Sequence, residues 1–356
     1  MDTMELLRDL SQATGVSGYE GEPRAVARRA LAPFTDEQQV DALGNLITLK
    51  RGMRAPDTPP HSIMLAAHMD EIGLMVTDFD EGFLRFTTVG GVDTRTILGQ
   101  EVIVHGKRPL PGIVASRPPH VLPESEQEKA LPIEELFIDV GVSEERIQEL
   151  TRVGDFITMR REFLPLAKGY ASGKALDNRA GVVTLVGCME ALNRMQHSWD
   201  VYAVATSQEE VGLRGATVSA YDTAPDIAIA VDVGYGLQQG VKEKEAISMD
   251  KGGAIGIGPN FHPLMAQRLI ETAEKYEVKY QREIIAGRSG TDAWAIQVAR
   301  EGIPTALISI PLRYMHTSVE TVCIRDIDRI ARLMALFIAE LDQSFAEALG
   351  LPKGEG

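Results

Sequence analysis

The chain has 356 residues, of which 44% are apolar and 24% charged, a composition typical of a globular protein with a substantial core. Its 51 acidic residues outnumber its 36 basic ones, and the formal net charge of −15 argues against nucleic acid or an anionic membrane as a partner. The length predicts two domains, or one large domain with an insertion.

The cysteines and the N-terminal residues bear on the cellular location. Cys188 and Cys323 lie in apolar, helix-like stretches without metal or redox spacing, so we predict two reduced thiols. The first ten residues are acidic and lack the basic and apolar regions of a signal peptide. Because no run approaches the ~20 apolar residues of a membrane helix, we expect a cytoplasmic protein with no membrane partner.

The first part of the chain predicts two helices followed by two strands. Residues 4–13 place leucines on one helical face, and residues 23–34 are rich in Ala and Arg, as in a second helix. A strand is expected over 44–50, and an exposed, proline-containing connection over 52–61. Residues 62–67 form a continuous apolar run, which is typical of a buried strand.

The middle of the chain has a different character. Short β-like pieces separated by Gly and Pro lie at 82–89, 101–105, 112–116, 136–140 and 156–159. Strands at such spacing indicate a small sandwich or barrel, and residues 118–132 are expected to form a mobile loop. We therefore predict a β-domain inserted over residues 71–164, within a main domain formed by residues 1–70 and 165–356.

Helices and strands alternate again in the last half of the chain. A long helical pattern follows residue 177, strands are predicted at 201–205, 227–231 and 305–310, helices at 263–276 and 291–300, and an amphipathic stretch at 320–349. This alternation predicts an α/β fold with parallel strands and helices on both faces. The glycine-rich residues 252–258 lack the ending and the strand-to-helix context of a phosphate-binding loop.

Ionisable side chains follow the apolar strands at the point where each strand ends, and one more stands at a helix start. The residues concerned are His68, Asp177, Glu209, Glu210, Asp232 and His316. Sites in open α/β sheets form at the carboxyl ends of the strands. A carboxylate at a helix start also suits the helix dipole. We therefore expect these side chains to converge at one edge of the sheet.

Imidazole and carboxylate groups without cysteine suit zinc, cobalt or manganese. Two histidines and several carboxylates exceed the three protein ligands of a usual catalytic zinc, and suit two metals ~3.5–4 Å apart with one bridging carboxylate. Each residue alone also has a structural explanation, such as a helix cap for Asp177 or a turn for Asp232. The joint pattern favours a metal site in which one of the two adjacent glutamates binds metal and the other moves protons.

Six segments together resemble metallopeptidase family 42, which includes the tetrahedral, glutamyl and deblocking aminopeptidases and proteins once labelled endoglucanases. The segments are His68-Met69-Asp70-Glu71-Ile72-Gly73, Ala175-Leu176-Asp177-Asn178-Arg179, Gln208-Glu209-Glu210-Val211-Gly212, Val231-Asp232, Gly290-Thr291-Asp292-Ala293 and Arg313-Tyr314-Met315-His316. The resemblance implies an α/β fold of the dinuclear zinc peptidase type. Its mixed sheet is flanked by helices, and a small β-barrel or sandwich is inserted for dimerisation.

The resemblance also implies a role for each residue. One metal would be held by His68, Asp177 and Asp232, and the other by Asp177, Glu210 and His316. Glu209 would be the general base and then the acid, and Asp70 would orient the first histidine. The implied cofactors are two divalent metal ions per subunit, zinc or cobalt, with manganese also possible. The implied substrate is a short oligopeptide, and the implied assembly is a tetrahedral dodecamer built from dimers.

Other functions stay open beside an aminopeptidase that uses metal-activated water. They are a related dinuclear-metal carboxypeptidase or deacylase, a glycoside hydrolase and a non-catalytic binding protein. Adjacent Glu209 and Glu210 do not suit a glycosidase, whose carboxylates flank the sugar bond ~5–9.5 Å apart. The preferred N-terminal residue is also open. Arg288, Arg313 or Lys251 could supply a cation for an acidic residue, and an apolar preference is equally consistent with the sequence.

Overall fold

The computed structural model describes residues 1–55, 60–118, 120 and 131–351, and it confirms the predicted α/β fold. A mixed sheet is flanked by helices, and a second, antiparallel sheet closes into a barrel. The connection predicted over 52–61 and the loop predicted over 118–132 lie partly outside the described residues, at 56–59, 119 and 121–130.

The helices and strands follow one another in three stretches of the chain, with the barrel in the middle. Before the barrel lie α1 (Thr3–Gln12), α2 (Gly21–Leu31), β1 (Glu37–Val40), β2 (Leu46–Lys50) and β3 (Ser62–His68). The barrel region contains β4 (Gly73–Asp80), β5 (Phe83–Val89), β6 (Glu101–His105), β7 (Pro109–Ser116), β8 (Leu136–Asp139), α3 (Glu144–Leu150) and β9 (Phe156–Met159). After it come β10 (Leu164–Pro165), β11 (Tyr170–Gly173), α4 (Leu176–Leu192), β12 (Asp200–Thr206), α5 (Arg214–Thr223), β13 (Ile227–Tyr235), β14 (Ala254–Ile257), α6 (Pro263–Lys275), β15 (Gln281–Ile284), α7 (Asp292–Ile296), β16 (Thr305–Arg313), β17 (Glu320–Cys323), α8 (Ile324–Ala339) and α9 (Gln343–Ala348).

The order of the main sheet places its parallel strands at the centre. The order is β1-β2-β12-β3-β13-β16-β17-β11-β10, with β14 and β15 joined to β16. Strands β12, β3, β13 and β16 run parallel to one another. The remaining strands pair antiparallel, apart from the parallel pair β14 and β15. The carboxyl ends of the four central strands therefore meet at one edge, where a site is expected.

Alternate residues of the central strands enter two apolar layers. In β3, Ile63 and Leu65 pack in the layer that contains α1, α2, α4, α6 and α8. Met64 and Ala66 pack in the layer that contains α5 and α7. Burial on both faces explains why the strand lacks polar alternation. Each fully buried Ile or Leu side chain stabilises the fold by about 1.5–3 kcal/mol.

The inserted β-region is a barrel whose strand order is β4-β5-β8-β7-β6-β9. Its strands pair antiparallel and enclose a separate apolar core. In β6, for example, Val102 and Val104 are buried in that core, whereas Glu101 is exposed. Closure leaves the barrel without free sheet edges, which would otherwise attract other strands.

Three predicted elements differ from the structure. The strand predicted at 227–231 continues to Tyr235, so Asp232 lies inside β13 rather than after it. Residues 320–323, predicted to begin a helical stretch, form the buried strand β17, because β11 and the end of β16 give their backbone partners. The helix predicted at 291–300 extends only over Asp292–Ile296.

Both cysteines are free and buried, as predicted. Cys323, however, ends β17 and does not lie in a helix. Within the described residues, no helix combines the length and the apolar character needed to cross a membrane.

Candidate active site

The central strands carry three of the predicted residues to the carboxyl edge of the main sheet. His68 is the last residue of β3, and its partner in β12 is Thr206. Beyond β12 the chain turns sharply, with Gln208 in the left-handed region at φ 54°, and presents Glu209 and Glu210. These three side chains therefore start from adjacent strand ends.

The remaining candidates come from β13, from the loop after β16 and from the start of α4. Asp232 is a buried residue within β13, and His316 follows β16 in the left-handed region at φ 61°. Asp177 lies in the first turn of α4, where its peptide bond to Asn178 is cis.

The structure brings five of the six candidates together in two overlapping groups. The first is His68, Asp177 and Asp232, and the second is Asp177, Glu210 and His316; in each, one ligand atom per residue lies within 4.8 Å of the others. The side chain of Asp177 is common to both groups. His68, Glu209 and Glu210 form a third such group, so proximity alone leaves open which glutamate binds a metal.

The two histidines approach opposite oxygens of one carboxylate. Asp177 Oδ1 lies 3.1 Å from His68 Nε2, and Asp177 Oδ2 lies 3.4 Å from His316 Nε2. Burial opposes ionisation of this carboxyl, yet the hydrogen bonds with the two imidazoles hold the pKa of Asp177 well below its ordinary value. Asp177 is therefore an ionised carboxylate with one oxygen turned toward each group.

In both histidines, the ring nitrogen that does not face Asp177, Nδ1, lies near acceptor oxygens that orient the ring. Nδ1 of His68 lies 3.3 Å from the carbonyl oxygen of Asp70 and 3.4 Å from its carboxylate. Nδ1 of His316 lies 2.9 Å from the carbonyl oxygen of Gly91, which follows the barrel strand β5. With Nδ1 as the donor in both rings, Nε2, which faces Asp177, is the nitrogen that would bind a metal, the arrangement usual in metal sites.

Asp70 connects the first histidine with both glutamates. Its carboxylate is fully buried and accepts hydrogen bonds from the backbone N–H groups of Glu209 at 3.1 Å and Glu210 at 3.2 Å. The hydroxyl of Ser17 donates to the same carboxylate at 2.6 Å. Asp70 thus fixes the turn that presents the glutamates as well as the ring of His68.

Glu320 is a site residue that the sequence pattern did not reveal. Its buried carboxylate accepts hydrogen bonds from the backbone N–H of Asp177 at 3.0 Å and of His316 at 2.9 Å. The sequence offered little signal for it, because the pattern over residues 320–323 predicts an amphipathic helix. Asp292, which belongs to one of the six segments, accepts a hydrogen bond from Thr206 at 2.6 Å.

Crowding of buried carboxyl groups raises their pKa values. Burial, assisted by the carboxyl group of Asp232, raises the pKa of Glu209 to about 10. Burial likewise raises the pKa of Glu210 to about 8, with Asp177 adding to the effect. The hydrogen bond with Asp177 raises the pKa of His316 to about 9. Like charges gathered in a low dielectric are costly, and a divalent cation would relieve that cost.

The donor set fits divalent metal ions. It consists of imidazole nitrogens and carboxylate oxygens without thiols, the mixture that zinc and similar ions accept. Neither Lys nor Arg forms an ion pair with Asp177, Glu210 or Asp232 within the part of the chain that the structure describes. The imidazoles are the ionic partners of these carboxylates there, which is the situation expected of a metal-binding cluster.

A cavity of about 430 Å³ opens in front of the cluster. Beyond the cluster its lining includes Gly91, Gly212, Leu213, Val233, Gly234, Tyr235, Glu283, Ile285, Arg288, Ser289, Leu307, Ser309 and Met315. Of the three cations considered for an acidic substrate, only Arg288 lies in this lining, 5.8 Å above the ring of Trp294. Arg313 instead donates to the carbonyl oxygen of Leu237 at 2.7 Å.

Comparison with known proteins identifies relatives of this chain. The family model described as M42 glutamyl aminopeptidase matches residues 44–333, and a model described as AMPT matches residues 1–26. The lysyl aminopeptidase of Pyrococcus furiosus is 36% identical over 344 residues, which cover 95% of this chain and 97% of that protein.

Two solved structures extend the comparison to the fold. The TET aminopeptidase from the marine sediment archaeon Thaumarchaeota archaeon SCGC AB-539-E09 superimposes with a TM-score of 0.91 at 34% identity, over 97% of this chain and 98% of that one. The TET1 peptidase of Pyrococcus horikoshii, described as able to assemble into a tetrahedron or a large octahedral shell, gives 0.82 at 33% identity, over 96% and 100%.

Fold and site together define a peptide hydrolase of the aminopeptidase class. The chain belongs to the M42 glutamyl aminopeptidase family, whose model covers most of its length. The resemblance inferred from the six sequence segments is thereby confirmed.

Proposed function

We propose that this aminopeptidase is a dinuclear-metal enzyme that removes N-terminal residues from short peptides. The observation that carries the proposal is the position of Asp177 between His68 and His316, with one oxygen toward each. A carboxylate shared by two ligand groups is the feature expected of a two-metal site. Family membership implies divalent metal ions; their number and identity are part of the proposal.

The proposed ligands follow the two groups around the shared carboxylate. His68 and Asp232 would complete the first metal site, and Glu210 and His316 the second. The donor atoms suit zinc or cobalt, and also manganese. Bound ions would polarise the scissile carbonyl and lower the pKa of water near it.

In this proposal Glu209 moves the protons. Its carboxylate lines the cavity, and its Oε2 lies 3.9 Å from His68 Nε2, farther than the oxygen of Asp177. Glu209 would accept a proton from the attacking water and then donate it to the leaving amine, as a general base and acid. Asp70 supports this role, because its carboxylate holds the backbone of both glutamates and so turns their side chains in fixed directions.

We also propose that the barrel over residues 71–164 is a dimerisation domain and that residues 1–70 and 165–356 form the catalytic domain. The relatives support a homo-oligomer, since the Pyrococcus horikoshii TET1 peptidase can assemble into a tetrahedron or a large octahedral shell. Twelve copies in a tetrahedron would admit only short peptides. Native mass measurement tests this assembly, and a fully active, stable monomer would contradict it.

The proposed activity is tested by measuring whether cleavage depends on metal and whether it requires a free N-terminal amine. Protein stripped by a chelator is reloaded with zinc, cobalt or manganese and assayed with a panel of aminoacyl nitroanilides and their N-acetylated forms. Activity should disappear on chelation, return on reloading and require a free amino group. Equal cleavage of acetylated substrates would indicate a deacylase, release of C-terminal residues a carboxypeptidase, and chelator-resistant cellulose hydrolysis a glycosidase.

A further inference from the structure

Glu283 is a carboxylate of the cavity wall that lies outside the two ligand groups and, unlike Glu209, has no part in the proposed proton transfer. Glu283 belongs to β15, a short strand joined to the main sheet through β14. Along β15, Arg282 and Ile284 are exposed, whereas Glu283 is half-buried and lines the cavity. A glutamate on the inward-facing side of this half-exposed strand calls for an explanation in terms of what it contacts.

The carboxylate of Glu283 is held next to the candidate metal centre. Ser309 Oγ donates a hydrogen bond to its Oε2 at 2.6 Å, and Ser309 is the partner of Asp232 in the neighbouring parallel strand. Paired residues of adjacent strands stand on the same face about 4.8 Å apart. The other oxygen, Oε1, lies 3.3 Å from where a Cβ atom on Gly234 would stand, so the glycine leaves room for it.

Among the described residues no cation pairs with Glu283. Its hydrogen-bond donor there is Ser309, and burial raises the pKa of its carboxyl group. A carboxylate withdrawn from water without a cation is costly, and an entering cation would gain a charge-assisted hydrogen bond there. The site is therefore prepared for a positive group that arrives with a ligand.

We propose that Glu283 is a specificity-determining residue that binds the side chain of an N-terminal Lys or Arg of the peptide. This inference rests on the proposed aminopeptidase function. Ile285 and Leu307 also line the cavity and offer apolar surface to the methylene stem that such side chains carry. The substrate α-amino group must stay beside the scissile carbonyl, close to the cluster. Glu283 belongs to neither ligand group, so it is available to the side chain.

The alternative recognition group in the same cavity is Arg288, which would favour an acidic N-terminal residue. Its guanidinium lies over the ring of Trp294, 5.8 Å from the ring centroid. The two residues therefore predict opposite substrate preferences, and a single assay separates them.

The experiment compares lysyl, arginyl, leucyl and glutamyl nitroanilides with the metal-loaded enzyme. The wild type should show the highest kcat/KM for the lysyl or arginyl substrate. In Glu283→Gln, kcat/KM for those two substrates should fall about 10- to 100-fold, the factor that a hydrogen bond to a charged group contributes, while leucyl turnover changes little. Retained leucyl turnover also shows that the variant is folded. Glu301→Gln, at an exposed turn position, is the charge-matched control and should behave as wild type.

Each other outcome overturns the inference in a recognisable way. An equal loss for leucyl and lysyl substrates would mean that Glu283 binds the α-amino group or supports the fold. A wild-type preference for the glutamyl substrate would favour Arg288. Cleavage of no nitroanilide by metal-loaded wild type would overturn the proposed function itself, and this inference with it.

Discussion

The carboxylate of Glu320 accepts a hydrogen bond from the backbone N–H of Asp177 at 3.0 Å. Its second oxygen accepts one from the N–H of His316, so one buried side chain holds two residues of the second ligand group. Asp70 does the same for the turn that carries Glu209 and Glu210. The buried carboxylates of Glu320 and Asp70 thus hold, by hydrogen bonds, the backbone of residues whose side chains form the cluster.

Replacing the supporting carboxylate should weaken metal binding. Glu320→Gln leaves one acceptor oxygen and puts an NH2 group against a backbone N–H, so one of the two hydrogen bonds is lost. Loss of such outer support typically costs about 10- to 100-fold in metal affinity or activity. Metal titration of the stripped protein measures the effect, with circular dichroism as the test of folding. Unchanged affinity in a folded variant would show that Glu320 does not position the ligands.

Replacing Glu209 should separate metal binding from catalysis. Glu209→Gln keeps a hydrogen-bonding side chain but cannot take up a proton, so kcat should fall about 10²- to 10⁴-fold while the metal content stays at the wild-type level. Glu210→Gln is the matched control and should lose metal as well as activity. If instead Glu209→Gln lost metal and Glu210→Gln kept it, Glu209 would be the ligand and the roles proposed for the two glutamates would be exchanged.

Replacing the shared carboxylate should affect both metals. Asp177→Asn removes the charge common to the two groups, so we expect the bound metal to fall from two ions per chain toward none. Asp232→Asn, which touches only the first group, should leave one ion bound. Elemental analysis after dialysis counts the ions. One tightly held ion in the Asp177→Asn protein would argue that the carboxylate does not bridge.

A single added methyl group should displace the second histidine. A Cβ atom on Gly91 would stand 2.6 Å from Nδ1 and 2.8 Å from Cε1 of His316, closer than such contacts occur. Gly91→Ala should therefore lower kcat/KM and the affinity for one of the two metals, with little change in the melting temperature. Gly99→Ala is a comparison in open space, although its φ of +79° adds backbone strain there. Full activity of Gly91→Ala would show that the neighbouring loop moves easily.

The stability of the folded protein at low pH should depend on a buried ion pair beside the site. Glu71 contacts Lys174 Nζ at 2.6 Å and Arg179 Nη2 at 3.2 Å. Burial would raise its pKa, but the two cations hold the pKa of Glu71 below its ordinary value of 4.5. A group whose pKa is lowered by folding stabilises the protein above the unfolded value. That contribution is lost as pH falls through the folded value.

The variant Glu71→Gln isolates this contribution. It should be less stable at neutral pH by about 3–5 kcal/mol, because two buried cations lose their partner. Its unfolding free energy should also fall less steeply than that of wild type as the pH drops below 4.5. Urea unfolding between pH 3 and 7, scored by fluorescence, measures both effects. If the unfolding free energies of the two proteins fell equally with pH, Glu71 would not be the group responsible for the acid sensitivity.

Local pattern in the sequence was sufficient to predict the central strands and the side chains that meet at their carboxyl ends. The apolar run that ends at His68 and the run before Glu209 are buried strands of one sheet, as their composition predicts. Parallel strands place their carboxyl ends at one edge, so residues distant in sequence could be expected to meet there. The order of the segments then indicated the family.

The roles inferred for Glu320 and Glu283 could be recognised only from the tertiary structure. Glu320 lies in a segment whose amphipathic pattern suggested a helix. The segment is a strand because it pairs with β11 along its whole length and with β16 at Thr321 and Val322. Glu283 is turned inward because Ser309 donates to it across two strand pairings. Hydrogen bonds between residues far apart in the chain leave no local periodicity. The sequence alone therefore determined which residues meet at the candidate site, and only the assembled sheet decided which residues hold and surround them.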